Sequence, residues 1–101
     1  MAPARSMGEF LREWREEQAR LSRARVAIAI NAKLPKGRQI PHDRVRRWEE
    51  GQPPNSTEEL EALCQTMREH GIAPSELKQF REAVFAASAQ RRYPELFRNG
   101  E

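Results

Sequence analysis

The chain has too few cysteines for a disulfide or a structural metal site. Cys64 is its single cysteine, and only two histidines accompany it among 101 residues. A zinc site needs about four clustered Cys and His ligands, so we expect no metal and no cofactor. No apolar run is longer than that of residues 26–30, which is far short of the roughly 20 residues that a membrane-spanning helix needs. We therefore expect packing alone to hold the fold, away from any membrane.

Aromatic residues are also scarce, at 7% of the chain, whereas 33% of residues are charged and 38% hydrophobic. This composition supports one small core, and the length corresponds to one domain. The polar N-terminus carries no signal-peptide pattern, which indicates a cytoplasmic protein. There is no glycine-rich phosphate loop, no H-x-x-x-H pattern and no evident spacing of a nucleophile and a base. We therefore expect that the protein is not an enzyme.

Positive charge is concentrated in one segment. Between residues 20 and 47, nine basic residues face one acidic residue, Asp43, which gives this segment a charge of +8 and leaves −5 elsewhere in a chain of net charge +3. The nine are Arg20, Arg23, Arg25, Lys33, Lys36, Arg38, Arg44, Arg46 and Arg47. Such a block indicates a surface for a polyanion, with nucleic acid the leading candidate. The alternative is a solvated basic face with no partner.

Apolar periodicity and capping signals predict five helices, over about 7–18, 22–31, 41–50, 57–70 and 74–92. Ser6 and Ser56 each begin an S-x-x-E capping box, and Ser22 is the expected N-cap of the second helix. Gly51 and Gly71 are typical helix ends. Residues 31–39 are predicted to form a loop and 93–101 a tail. Residues 26–30 also alternate as a strand would, which leaves their state open. The predicted class is all-α, with five short helices around one core.

The third predicted helix has two unlike faces. On a helical wheel Val45 and Trp48 point to one side, and Asp43, Arg46 and Arg47 lie opposite, with His42 and Arg44 on the flanks. Arginine suits bidentate contact with guanine, and a carboxylate can accept a hydrogen bond from cytosine. This is the composition of a helix that reads DNA bases. In the alternative interpretation Asp43 and Arg47 pair with each other in water.

The second predicted helix carries Arg23 and Arg25 in its first turn, where the helix dipole disfavours cations. A phosphate bound at this N-terminus would compensate that conflict, since free backbone N–H groups and guanidinium groups both favour an anion. The alternative is that the long side chains turn away and little is lost. The sequence therefore nominates Arg23 and Arg25 as phosphate contacts.

Four segments together resemble the XRE family of helix-turn-helix domains, of the lambda-repressor and Cro type. They are residues 10–15 (FLREWR), 21–27 (LSRARVA), 45–51 (VRRWEEG) and 56–63 (STEELEAL). The resemblance covers about residues 8–77. It implies a five-helix DNA-binding domain over residues 1–92, with helix 3 in the major groove, a lengthened turn between helices 2 and 3 and an extended C-terminal helix.

The resemblance also implies roles for individual positions. His42, Asp43, Arg46 and Arg47 match positions that commonly contact bases. Ser22, Arg23 and Glu50 lie where the family approaches the phosphate backbone, although a carboxylate suits that role poorly. Arg15 and Glu49 match the positions of an inter-helix salt bridge.

The sequence departs from the family at two places. Residues 31–39 lengthen the turn before helix 3, and they either bring Lys33, Lys36 and Arg38 beside the groove as phosphate contacts or shift the angle at which helix 3 docks. Pro41 replaces the serine or threonine that usually caps helix 3. We expect the basic loop, together with Arg44, to supply the phosphate contacts that this cap would have made.

Two functions remain open from the sequence. The first is a sequence-specific regulator of transcription, a repressor of bacterial or phage type, that binds duplex DNA as a homodimer. The second is a protein-binding adaptor, such as an antitoxin or a modulator of the transcription machinery, that uses the C-terminal helix and tail. Phe85, Tyr93, Leu96 and Phe97 are the expected contacts of either partner.

Overall fold

The computed structural model describes residues 5–92, which contain five α-helices and no β-strand. The helices are α1 (Met7–Glu13), α2 (Arg23–Asn31), α3 (Arg44–Glu49), α4 (Thr57–Glu69) and α5 (Pro74–Arg92). A π-helical turn (Trp14–Ala19) extends α1, and a 3-10 turn (Lys36–Arg38) lies between α2 and α3. The predicted all-α class is confirmed, and residues 26–30 are helical.

Serine side chains begin three of the helices, as the sequence predicts. The hydroxyls of Ser6, Ser22 and Ser56 each accept a hydrogen bond from the backbone N–H three residues later, at 3.2, 3.1 and 3.2 Å. Each cap satisfies a donor that the helix itself leaves free and contributes about 1 kcal/mol. Gly51 and Gly71 follow α3 and α4 with φ angles of 109° and 82°, a region that favours glycine.

The first helix widens before it ends. The backbone N–H groups of Arg20 and Leu21 both donate to the carbonyl of Arg15, and the π-helical turn ends at Ala19. Arg20 then adopts a left-handed conformation with φ of 54°, which costs a residue with a side chain about 1–2 kcal/mol. The chain thereby turns sharply into α2 while it stays close to Arg15.

The third helix is shorter than the sequence pattern predicts. The predicted start at residue 41 is wrong, because α3 begins at Arg44. Residues 41–43 form a turn that is closed by a hydrogen bond of 3.1 Å from the N–H of Arg44 to the carbonyl of Pro41. Asp43 precedes the helix without a capping hydrogen bond from its side chain. His42 and Asp43 therefore lie in the turn that precedes α3 and are not part of the helix.

One hydrophobic core joins all five helices. The largest fully buried side chains include Trp14, Trp48, Phe80, Leu11 and Ile30. The α1 helix lies between α3 and α5, and α2 packs against both α3 and α4. Cys64 is fully buried in this core, as predicted for a small hydrophobic residue, and burial raises the pKa of its thiol. Removal of this apolar surface from water is what holds the helices together.

Gly8 permits the closest approach between two helices. A Cβ atom at this position would overlap the backbone carbonyl oxygen of Glu49 in α3 and would lie 2.7 Å from the carbonyl carbon. Since both groups belong to helical backbones, neither can move aside cheaply. The distance between α1 and α3 therefore depends on the absence of a side chain at residue 8.

We expect Gly8→Ala to destabilise the fold by about 1–3 kcal/mol, although alanine is the better helix former, because the added methyl group forces α1 and α3 apart. Gly37→Ala is the matched control, since a Cβ atom there has no neighbour within 4 Å. Urea unfolding of both variants measures the difference. Equal stability of Gly8→Ala and the wild type would contradict the close approach.

Candidate functional site

The two faces of α3 are separated as the helical wheel predicts. Val45 and Trp48 have no exposed surface, which confirms that this edge points into the core. Arg46 and Arg47 lie on the other side, with 48% and 50% of their side chains exposed. A buried indole and a branched aliphatic side chain thus determine which way α3 is turned about its own axis. Two arginines are consequently presented to solvent.

Both arginines form ion pairs within their own helix and its entry turn. The Nη2 atom of Arg47 lies 3.2 Å from Oδ2 of Asp43. In Arg46, Nη2 lies 4.0 Å from the same oxygen and Nη1 lies 3.0 Å from Oε2 of Glu50. Exposed pairs at this spacing contribute only about 0.3–0.5 kcal/mol each. They therefore restrain the guanidinium groups without fixing them. The pairing of Asp43 with Arg47 is the one that the sequence left as an alternative.

A buried carboxylate joins α1, α2 and α3. Glu49, whose side chain is only 3% exposed, accepts hydrogen bonds from Arg15 Nε at 2.6 Å and from Arg23 Nε at 3.0 Å. Arg15 Nη1 also donates to the carbonyl of Leu21 at 3.1 Å. The structure thus joins the two residues that the resemblance pairs, and it adds Arg23 as a third member. Arg23 is thereby held beside the N-terminus of α2.

Ser22 and Arg25, the other two expected phosphate contacts at the N-terminus of α2, differ in whether they are free to bind an anion. Ser22 Oγ accepts a hydrogen bond from the N–H of Arg25 at 3.1 Å, so the hydroxyl caps the helix. The Arg25 side chain is exposed, and among residues 5–92 no acidic group lies within ion-pair distance of it. Arg25 is therefore the available cation at this end of α2.

The loop before α3 is anchored at both ends. Leu34 and Ile40 are buried, and the side-chain amide of Asn31 both donates to the carbonyl of Ile40 and accepts from its N–H, at 3.0 and 2.8 Å. This side chain acts as a clamp across the loop. The lengthened turn is thus a packed segment, with a 3-10 turn at its outer end that carries Lys36 and Arg38.

Acidic residues of α4 bind three of the nominated phosphate contacts. The side-chain nitrogen to carboxylate oxygen distance is 2.9 Å between Lys33 and Glu69. It is 2.6 Å between Arg38 and Glu58, and 2.9 Å between Arg44 and Glu59. The side chains of Lys33 and Arg44 are only 17% and 21% exposed, so these two serve the packing of α4 as well. Lys36 is exposed, and in the described part of the chain it has no acidic partner.

The basic block is therefore largely neutralised by its surroundings. Six of its nine cations form ion pairs. Arg23, Lys33, Arg38, Arg44 and Arg46 pair with glutamates outside the block, and Arg47 pairs with Asp43 inside it. Arg20, Arg25 and Lys36 have no such pair within residues 5–92. His42 is exposed at the entry to α3. The charge of +8 read from the sequence thus overstates the free charge of this surface.

Sequence reasoning missed several residues that shape the site, among them Gly8 and Glu59. Gly8 sets the approach of α3 to α1, and Glu59 holds Arg44 against α4. A glycine inside a predicted helix was the available signal for Gly8, since it is unfavourable there without a packing reason. For Glu59 no such signal existed, because the capping-box motif accounts for a glutamate at that position.

Among residues 5–92, none of the helices has the length and the apolar composition that a membrane span requires. Within the same residues, no three His, Cys, Asp or Glu side chains cluster in a way that would hold a metal ion.

A family model described as a helix-turn-helix domain matches residues 6–71. These residues include α1 to α4 and the loop between α2 and α3. No curated protein and no solved structure shows significant similarity to the chain.

We expect Glu49→Ala to destabilise the fold by about 3 kcal/mol, because it leaves the buried guanidinium of Arg15 without its carboxylate. Glu50→Ala removes the same charge from the next residue, where the side chain is 58% exposed, and should change stability by no more than about 0.5 kcal/mol. Denaturant unfolding of both variants gives the comparison. Similar losses from the two changes would show that the buried network does not support the fold.

Proposed function

Because the chain belongs to the helix-turn-helix domain family, which binds DNA, we propose that it is a sequence-specific repressor of transcription whose α3 helix reads bases in the major groove. The resemblance of the sequence to XRE domains supports this assignment. Occupancy of an operator is sufficient for repression, whereas activation requires a further contact with the transcription machinery. We therefore favour a repressor over an activator.

The observation that carries the proposal is the orientation of α3. Val45 and Trp48 are fully buried while Arg46 and Arg47 are half exposed on the opposite side. An arginine that binds guanine O6 and N7 contributes about 1–3 kcal/mol of discrimination, which exceeds the roughly 0.3–0.5 kcal/mol of each intrahelical ion pair. A matching base can therefore displace Asp43 from Arg47.

We propose four base contacts, by Arg46, Arg47, Asp43 and His42. The two arginines would bind guanine, and Asp43, once released, would accept a hydrogen bond from cytosine N4. Asp43 and His42 lie in the turn that precedes α3, and His42 is exposed there. A recognition helix commonly contacts bases through its N-terminal residues, which is the end where this turn lies.

We propose that phosphate contacts surround this helix and differ in strength. Arg25 and Lys36 are exposed and carry no ion pair in the described residues, so they are available without rearrangement. Ser22, Arg23, Lys33, Arg38 and Arg44 are the remaining candidates. Arg23 keeps 44% of its side chain exposed while it binds Glu49. Lys33, Arg38 and Arg44 must exchange a glutamate of α4 for a phosphate, which lowers their contribution.

A homodimer would place two copies of α3 on a two-fold operator, with half-sites about 34 Å apart. Phe85 on α5 supports a partner surface at this helix, since 80% of this aromatic residue is exposed. Burial of this ring against a partner would remove its apolar surface from water, which is worth about 25 cal/mol per Å². The other expected contacts, Tyr93, Leu96 and Phe97, lie outside the described residues.

The exposure of Phe85 also supports a second candidate function, in which α5 binds a different protein and the chain serves as an adaptor. The two functions differ in their dependence on DNA. A repressor requires binding to duplex DNA that weakens with salt, whereas an adaptor that acts through α5 does not. The orientation of α3 has no role in the second candidate, and we therefore place it behind the first.

We expect binding to duplex DNA to weaken as salt increases, with log K falling by about 0.9 per contacted phosphate for each decade of salt.

A site selected from a random DNA pool provides the cognate duplex. Arg47→Ala should weaken cognate binding by about 1–3 kcal/mol and leave non-cognate binding almost unchanged, whereas Lys36→Ala should weaken both alike. Fluorescence anisotropy measures the affinities of the wild type and both variants for the two duplexes. The absence of DNA binding at low salt would refute the proposed function, and equal effects of the two changes would refute base reading by α3.

We expect Phe85→Glu to shift a dimer to the monomer, because a charge replaces the exposed ring at the centre of the proposed contact. Sedimentation equilibrium over a range of protein concentrations measures the change. Gln65→Glu, at an exposed position of α4, adds the same single negative charge away from α5 and is the control, which should leave the dimer intact. A wild-type protein that is monomeric at the highest concentration would contradict the homodimer.

A further inference from the structure

Glu50 lies on the same face as the exposed arginines of α3. Its side chain is 58% exposed, and its Oε2 atom accepts a hydrogen bond from Arg46 Nη1 at 3.0 Å. The neighbouring Glu49 is buried and binds Arg15 and Arg23. The two consecutive glutamates therefore lie in different environments, since Glu49 is buried and Glu50 faces the solvent.

Glu50 contributes little to the stability of the fold. Its ion pair with Arg46 is exposed and joins α3 to the residue that follows the helix, and exposed pairs contribute little to stability. On a surface that meets DNA, moreover, its carboxylate repels the phosphate groups of the duplex. Any favourable effect of Glu50 on DNA binding must therefore come from its contact with Arg46.

The geometry leaves part of the Arg46 guanidinium available. Glu50 engages Nη1, while Nη2 lies 4.0 Å from the nearest oxygen of Asp43, which is beyond hydrogen-bond distance. A guanidinium carries five N–H donors in a planar fork. Arg46 can thus keep its contact with Glu50 while the Nη2 side of the fork donates to guanine O6 and N7.

On the basis of the proposed function, we infer that Glu50 determines specificity by positioning Arg46 for guanine and by repelling the phosphates of non-cognate DNA. The two effects depend differently on sequence. Repulsion acts on every duplex, because every duplex carries phosphates. Positioning contributes only where a guanine lies opposite Arg46. Glu50 therefore lowers affinity for all DNA but lowers it least for the cognate site.

The test compares Glu50→Ala with the wild type on the cognate and a non-cognate duplex. The change should raise non-cognate affinity about three- to tenfold and steepen its salt dependence by up to about 0.9 in log K per decade, because one more phosphate can be approached. Cognate affinity should change less, since the loss of positioning offsets the loss of repulsion. The ratio of cognate to non-cognate affinity therefore falls.

Glu76→Ala is the matched control, because it removes an equal charge from the first turn of α5, on the opposite side of that helix from Phe85. It should leave the affinity ratio unchanged. In a second comparison Arg46→Ala is combined with Glu50→Ala. If Glu50 acts through Arg46, its removal should no longer lower the ratio in the Arg46→Ala protein, although it should still raise non-cognate affinity.

The outcomes separate this inference from the function on which it rests. Absence of any DNA binding by the wild type overturns both. If the wild type discriminates between the duplexes but Glu50→Ala behaves as Glu76→Ala does, only the role of Glu50 is refuted. A fall in the ratio that persists fully in the Arg46→Ala protein also refutes it, since Glu50 would then act independently of Arg46.

Discussion

The contact between α1 and α3 at Glu49 is the interaction on which the rest of the structure depends. The backbone of Glu49 lies directly against Gly8, and its carboxylate binds Arg15 and Arg23 from the two preceding helices. Together with the buried Trp48, this contact fixes both the position of α3 and its rotation. A helix of six residues has almost no stability by itself, so its orientation comes from this packing.

Electrostatics then decides what the outer surface can bind. The acidic first turn and last turn of α4 neutralise Lys33, Arg38 and Arg44, which a count of charges along the chain treats as free. Within residues 5–92, positive charge is left at Arg20, Arg25 and Lys36, while the arginines of α3 are restrained by weak local pairs. The surface proposed for DNA thus combines a few available cations with side chains that must exchange partners on binding.

Much of the fold could be predicted because its signals are local. The caps at Ser6, Ser22 and Ser56 act within three residues of the chain, and the inward edge of α3 follows from the spacing of Val45 and Trp48. Local signals failed at the start of α3. A proline is acceptable in a first helical turn, so the pattern continued the helix to residue 41, whereas the chain closes a separate turn there.

The sequence by itself determined the helical stripes, the caps and the side of α3 that turns inward, because each depends on residues a few positions apart. The tertiary structure alone decided the closeness of Gly8 to Glu49, the clamp of Asn31 on Ile40 and the partners of the basic block. These contacts join segments that are distant along the chain, and nothing in a local pattern specifies which distant groups meet. For this protein, the identity of the cations that remain available to DNA is therefore a property of the packed fold.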